Sequence, residues 1–525
     1  MATARRVKLI LCSMAKIRIA VGISVFVPIC YGQHKILILR KQMKFDLRIN
    51  DRKTFWILLL VLSLWKVLLA WKLDVCSDEG YYFYWSLFPQ LSYFDHPPLT
   101  SWAMALSHKW FGDTIWTVRC WPLIVGILFA VAGRALAREM FDAGVGNRAG
   151  IFLILCPVFA GNGLLMTPDT LFALFWCTAL YSTWKALENP SRELKWWSIA
   201  GVSAGLGLLS KYNMVLFFLG LGFLWLVSPG KRRKIFYGLV MSGGIALVLF
   251  LPVLVWNFEN DWISFRFQLQ HGFSGDGFKP WATFPRYLGG LMLVATPLLG
   301  GLAFWRSSRA IFSADEPRKF LGAFFWVVVL FFAISALKGK VSANWPMMAF
   351  FSGVILVAAD WRLCLPWLRR ATVGLLVFVL LLGLSYLSLP NDFAIAVGGR
   401  SLDIPRMKEF IGGKQVADAV RRKRKELNLD FICVARDPLF GELAFYAPDL
   451  RSLLWLRQRG SIRFPWIDHQ GWRGKSALLI SHRPKSWPMF QKVHALGQLD
   501  IPYKKYLKRT LYFYKGVGYQ PERSL

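Results

Sequence analysis

Between Thr54 and Ser388 the chain alternates long apolar runs with short polar connections. The runs lie at 55–72, 116–138, 149–166, 168–187, 196–210, 212–228, 235–256, 286–304, 320–337, 345–361 and 371–388. Each approaches the ~20 apolar residues that a helix needs to cross a bilayer. The pattern predicts a polytopic α-helical membrane protein with about eleven transmembrane helices. Its longer connections are 73–115 and 257–285. After residue 389 the pattern changes. Apolar runs at Asp430–Ala435 and Ala477–Ser481 read as strands, Val416–Glu426 reads as a basic helix, and Tyr503–Tyr519 reads as a strand pair. These predict a soluble α/β domain over 389–525.

Lys and Arg fix the expected orientation. One alternate set of loops holds seventeen of them, including Arg134, Arg138, Lys231–Lys234 and Arg369–Arg370, against seven in the opposite set. By the positive-inside rule the basic set faces the cytoplasm. The loops 73–115 and 257–285 and the C-terminal domain then lie outside, on the extracytoplasmic face. Residues 1–54 form a basic N-terminal segment. Its apolar stretch Ile19–Tyr31 is signal-like but lacks a small-x-small cleavage site, and initiation near Met43 explains it equally well.

Composition agrees with this picture. The chain has 525 residues, 55% apolar and only 18% charged, with a mean hydropathy of +0.41; soluble domains carry about 25% charged residues. An ordinary cytosolic enzyme is excluded. The net charge of +34 would suit nucleic acid, but the basic residues flank apolar runs as inner-leaflet anchors do. The basic tail suits either anionic lipid head groups or plain solvation. Eight cysteines show no CxxC spacing and no disulfide framework, although Cys76 and Cys120 could pair. No P-loop, GxSxG, HExxH or dinucleotide motif occurs in a fitting context, and Gly201, Gly205 and Gly207 read as close helix packing.

The first long loop carries the candidate chemistry. Ser77-Asp78-Glu79-Gly80 directly follows a membrane helix, and Tyr93-Phe94-Asp95-His96-Pro97-Pro98-Leu99 comes shortly after. Pro97 holds His96 extended. The aromatic run Tyr81–Trp85 suits an interfacial helix. Alone, Asp78 and Glu79 would read as a helix cap; joined to Asp-His-Pro-Pro, they point to a site. Carboxylates at the rim of an apolar body are costly unless solvated, paired or metal-bound.

These motifs resemble the GT-C superfamily of membrane glycosyltransferases, in particular family 39, the protein O-mannosyltransferases and the lipid A aminoarabinose transferases. The resemblance covers about residues 55–390 and rests on Asp78-Glu79 and Asp95-His96-Pro97-Pro98-Leu99. It implies transfer of a sugar from a polyprenyl-phosphate donor to a lipid A, lipopolysaccharide, glycolipid or protein hydroxyl acceptor, with inversion and no nucleotide cofactor. Asp78 and Glu79 are then the catalytic carboxylates. His96, Asp169 (in Met166-Thr167-Pro168-Asp169), Lys211 (in Ser210-Lys211-Tyr212) and Lys338 and Lys340 (before Asn344-Trp345-Pro346) are donor-phosphate or substrate residues. Asp95 and His271 would hold a divalent metal, although two protein ligands fall short of the three usual for catalytic zinc. Each external lysine also reads simply as an interface anchor. A lipid-linked sugar transporter or flippase is the alternative. It would favour internal repeats and ionisable groups near the membrane centre, whereas here the carboxylates cluster at one rim.

Overall fold

The computed structural model describes residues 49–273, 280–388, 410, 412–435, 437–456, 463–504 and 507–521, together with the strand backbones at 13–18, 24–29, 396–397 and 400–401. The two latter pairs of strands form small antiparallel hairpins, β1 (Ser13–Arg18) with β2 (Ser24–Ile29) and β3 (Ala396–Val397) with β4 (Arg400–Ser401). The helical region runs α1 Arg52–Lys72, α2 Ser77–Ser86, α3 Leu99–Phe111, α4 Ile115–Met140, α5 Ala143–Leu155, α6 Pro157–Asn162, α7 Pro168–Glu188, α8 Glu193–Ser210, α9 Val215–Val227, α10 Arg232–Glu259, α11 Ile263–Phe273, α12 Pro280–Val294, α13 Pro297–Ala310, α14 Glu316–Lys338, α15 Met347–Ala359 and α16 Pro366–Ser388.

Every expected span coincides with helix, but helix length and composition do not confirm the count of eleven. Among the described residues five helices are long and apolar enough to cross a membrane, or six if the bent pair α12–α13 is one span. Prolines account for two of the differences. The run 149–166 breaks after Leu155, where Pro157 restarts the chain as α6. The run 286–304 is two helices bent by 105° at a break before Pro297, with Thr296 in the left-handed region at φ 69°. A proline opens each second helix because its missing N–H is unused in a first turn.

Two cores divide the molecule. The larger is built from the membrane helices, with α15 and α5 almost wholly enclosed. By contrast α1 leaves Leu60, Leu64, Leu68 and Trp71 exposed, the face expected toward lipid. The second core joins α2 to the C-terminal domain. That domain contains α17 (Gly413–Glu426), α18 (Asp437–Tyr446) and strands β5 Phe431–Val434, β6 Leu454–Leu456, β7 Ala477–Ser481, β8 Phe490–Lys504 and β9 Leu507–Tyr519. They form one sheet in the order β6-β5-β7-β9-β8. The β5, β6 and β7 strands run parallel and are fully buried; the hairpin β8–β9 closes the sheet antiparallel. The strand pair expected over 503–519 is therefore a longer hairpin that starts at Phe490.

The aromatic run of the first loop is not an interfacial helix. All of α2 except Asp78 is buried, because α18 of the C-terminal domain crosses it at a pair of glycines. A Cβ on Gly80 would stand 2.2 Å from the Gly441 carbonyl oxygen, and one on Gly441 2.3 Å from that of Ser77. Only glycine permits so close a crossing. Phe83 then packs on Phe445, and Tyr84 on Phe440 and Phe464. Backbone bonds extend the seam: Gly413 N–H donates to Asp74 Oδ2 at 3.0 Å, and Val75 N–H to the Tyr446 hydroxyl at 2.7 Å.

Candidate active site

One cavity of about 480 Å³ sits where α2, the Asp95–His96 segment, the α8–α9 turn, α11, α14 and the C-terminal domain meet. Its charged lining comprises Asp78, Asp95, His96, Lys211 and Arg463, among Tyr81, Tyr82, Tyr212, Asn213 and Trp345. The apolar part of the wall comes from Val215, Leu216, Phe331 and Phe332. Four of the residues expected from the sequence therefore meet in one space, three from the first long loop and Lys211 from the turn after α8.

Asp78 and Glu79 have opposite surroundings. Neighbours on a helix point about 100° apart. Asp78 is exposed to the cavity. Glu79 is fully buried and does not reach it. Its carboxylate accepts from Arg119 Nε at 3.1 Å and Arg119 Nη2 at 2.8 Å, and from the backbone N–H groups of Cys76 at 3.1 Å and Met166 at 3.3 Å. Arg119, also fully buried, donates onward to the carbonyls of Ala70, Leu73 and Asp74 at 2.8, 2.8 and 2.6 Å. The last carbonyls of a helix lack partners within it, so one guanidinium both ends α1 and anchors the start of α2. The expectation of two catalytic carboxylates reduces to one that faces the cavity.

Lys211, at the end of α8, is 7% exposed and lines the cavity. Its ammonium donates to Asp169 Oδ1 at 2.6 Å, and Asn344 Nδ2 donates to the other oxygen at 2.9 Å. Asp169 sits in the first turn of α7 behind the wall, so it holds Lys211 and does not face the cavity itself. Lys338 and Lys340, expected at the site, are exposed and lie outside the lining because α14 ends at Lys338 and the chain turns away at Gly339. The same connection contributes Ser342 and Trp345 to the wall.

Asp95 is already engaged. Its Oδ2 accepts from the Tyr81 hydroxyl at 2.5 Å, its backbone carbonyl from the Gln268 amide, and Arg463 lies 3.7 Å from Oδ1. A divalent cation on this carboxylate would sit beside a guanidinium. Among the described residues no group of three or more His, Cys, Asp or Glu could hold a metal. His271 lies in α11, but its side chain is outside the described residues. The expected pairing of Asp95 with His271 therefore falls partly outside the described residues. Burial, and after it the charges of Asp78, Asp95 and Asp169, push the Tyr82 phenol well above its usual range, leaving it a hydrogen-bond donor. Cys76 and Cys120 are both free thiols.

Arg463 and Arg119 carried no signal in the sequence. Neither lies in a motif, and the partners of Arg119 stand 40–49 residues away along the chain.

The sequence profile of the dolichyl-phosphate-mannose-protein mannosyltransferase family matches residues 95–256. The lipid A galacturonosyltransferase RgtD of Rhizobium johnstonii is 22% identical over 76% of this chain and 84% of its own length. The undecaprenyl phosphate-α-4-amino-4-deoxy-L-arabinose arabinosyl transferase 1 of Pseudomonas fluorescens is 26% identical over 48% of this chain, which spans about half that relative's length (46%). Among solved structures, ArnT from Cupriavidus metallidurans bound to undecaprenyl phosphate aligns at a TM-score of 0.61 with 16% identity, covering 88% of this chain and 98% of that one. Residues 95–256 thus match the profile of a family of membrane mannosyltransferases, and the fold of the chain is similar to that of ArnT.

Proposed function

We propose that this cavity transfers a sugar from a polyprenyl-phosphate donor to an oxygen of a lipid A or lipopolysaccharide acceptor on the periplasmic face of the inner membrane. The observation that carries the reading is the shared lining: one exposed carboxylate, Asp78, and one buried lysine, Lys211, border a space whose remaining wall is partly apolar. The names of the relatives support lipid A and its core as acceptors and undecaprenyl phosphate as the carrier.

In this mechanism the acceptor O–H attacks the anomeric carbon, forming the new C–O bond. Asp78 takes the proton as general base. The bond from the anomeric carbon to the donor phosphate breaks, and the polyprenyl phosphate leaves with the electron pair. Lys211, held by Asp169, meets the charge that develops on that phosphate, and Val215, Leu216, Phe331 and Phe332 border the first prenyl units. Fixed cations in a site poor in water are effective for such charge. A single displacement inverts the anomeric centre. Glu79 positions Asp78 through Arg119 and takes no part in proton transfer.

The test compares wild type with Asp78→Asn, using purified protein, lipid A and radiolabelled polyprenyl-phosphate sugars. Transfer should fall at least ~100-fold in a folded variant. A wild-type rate from Asp78→Asn refutes the mechanism.

A further inference from the structure

Arginines gather at the end of α1 opposite Asp78. Arg134 and Arg138 stand four residues apart on one face of α4, and Arg52 opens the first turn of α1. Glycines of α5 draw the three helices together. A Cβ on Gly146 would stand 2.8 Å from Arg138 Cβ and 2.9 Å from the Arg134 carbonyl oxygen. One on Gly150 would stand 2.5 Å from the Phe55 ring and 3.1 Å from Arg134 Cβ. Arg148 enters the same place from α5 itself.

Two of these arginines are buried charges with neutral partners. Arg134 is 9% exposed and Arg148 3%. Arg134 Nε donates to Asn147 Oδ1 at 2.8 Å, and its two Nη groups find no acceptor among the described residues. Its guanidinium carbon lies 5.2 Å from the Phe55 ring centre and 5.8 Å from that of Trp56. The charges that act on it are those of Arg138 and Arg52, both repulsive. Arg148 donates to the Ala358 carbonyl at 2.9 Å and to Asn50 Oδ1 at 2.7 Å. The carboxylate whose charge it feels, Asp142, accepts from Val145 N–H at 2.8 Å as the cap of α5 and forms no salt bridge with it. Residues 1–48 supply no balance, since they hold ten Lys and Arg against one acid, Asp46. Buried charge is costly unless an opposite charge meets it.

The neighbouring surface indicates which anion fits. Beside Arg134, α1 turns Trp56, Leu60 and Leu64 outward at 40, 60 and 57% exposure, a stripe for acyl chains directly above the arginines. The loop charges set this end toward the cytoplasmic leaflet, where basic sites between membrane helices suit anionic lipid head groups. The planar guanidinium fork matches a phosphate. We infer that Arg52, Arg134 and Arg138 form a binding site for the phosphate of an anionic phospholipid in the inner leaflet. The site stands the length of α1, about 30 Å, from the catalytic cavity, so it does not rest on the transferase reading.

The experiment reads lipid retention by native mass spectrometry of the full chain, with phosphatidylglycerol, phosphatidylcholine or undecaprenyl phosphate added singly. Wild type should hold phosphatidylglycerol at least ~10-fold more tightly than phosphatidylcholine. Arg52→Gln and Arg138→Gln should each weaken that binding about 5-fold, and the double variant should lose the preference. The control pair Arg233→Gln and Arg370→Gln removes two exposed arginines from other basic loops and should keep it. A wild type without preference overturns the inference. So does an equal loss in the control pair, which would leave net charge as the whole effect. Undecaprenyl phosphate held as tightly as phosphatidylglycerol, and released by the same double variant, overturns the assignment to a phospholipid. Arg134→Gln should also lose the protection against heating that phosphatidylglycerol gives wild type. Should that buried variant misfold, the exposed Arg52 and Arg138 still decide the question.

Discussion

Replacing Arg119 with methionine should destabilise this protein more than any single change in the cavity itself. The substitution keeps the side-chain volume close and removes the charge. Glu79 is then left ionised with no exposed surface, and breaking a buried pair from one side costs about 3–5 kcal/mol. Three carbonyls, at Ala70, Leu73 and Asp74, also lose their donor, each a further ~1 kcal/mol. Glu79→Gln is milder, because its one amide oxygen still accepts from either Cys76 or Met166, which donate to different oxygens of Glu79, and Arg119 keeps its carbonyls; about 1–3 kcal/mol is expected. The double variant no longer holds an unpaired charge, so it should cost less than the two singles combined. A coupling of about 2 kcal/mol or more follows, within the range for residues in one network. Reversible unfolding by SDS titration in mixed micelles, read by tryptophan fluorescence, closes the double-mutant cycle. A coupling below ~0.5 kcal/mol would refute the argument that this pair fixes the start of α2. Because Asp78 adjoins Glu79, kcat should fall in each single variant while KM for the donor moves little.

Other substitutions probe the remaining contacts. Lys211→Met should lower kcat about 100-fold, as loss of one charge-stabilising donor does, and Asp169→Asn should lower it less, measured as steady-state transfer; equal rates in all three proteins would remove Lys211 from the mechanism. Gly441→Ala brings a methyl group against the Ser77 carbonyl, and overpacking of this kind costs about 1–3 kcal/mol; protease sensitivity between residues 389 and 412 should rise, and unchanged cleavage would count against the crossing. Chelation with EDTA should leave transfer intact, since Asp95 Oδ2 accepts from Tyr81 and a guanidinium stands 3.7 Å from Oδ1; loss of activity restored by a divalent ion would reverse that reading. For Asp113, burial alone would raise the carboxyl, but the hydrogen bonds from Arg451 and His108 outweigh it and hold the group below its usual range. Its stabilising share is therefore present above the unfolded carboxylate value of about 3.9 and lost as pH falls through the lower folded value. Docking of the C-terminal domain on α3, followed by proteolysis, should weaken below about pH 4, and Arg451→Ala should flatten that dependence.

The residues legible in the sequence were those whose chemistry is local to a loop. Asp78, Asp95, His96 and Lys211 stand in short motifs at the ends of apolar runs, and the fold gathers them because those ends share one rim. Adjacent acids could not be separated that way. Helical geometry says that Asp78 and Glu79 diverge, but only the position of Arg119, forty residues later, decides which one turns inward. Asp169 and Lys211 looked like two independent substrate residues because nothing across a separation of 42 positions announces an ion pair. Lys338 and Lys340 shared the motif order of the site yet missed it, since Gly339 ends α14 and carries them outward. Arg463 was invisible for a plainer reason: it lies in the domain whose sequence resembled nothing named, and only the packing of Phe464 brings it back to the first loop.

The crossing of α2 and α18 also sets the moment in biosynthesis at which the protein becomes active. The helix bearing Asp78 leaves the ribosome early, whereas Gly441, its packing partner, is translated some 360 residues later. Until then Phe83 lacks Phe445, and Tyr84 lacks Phe440 and Phe464, as cover. A chain that stops short of α18 would thus insert its membrane helices and still display a sticky aromatic surface, the kind of exposed apolar face that invites aggregation. Completion of the last domain covers that surface and adds Arg463 to the cavity wall in one event.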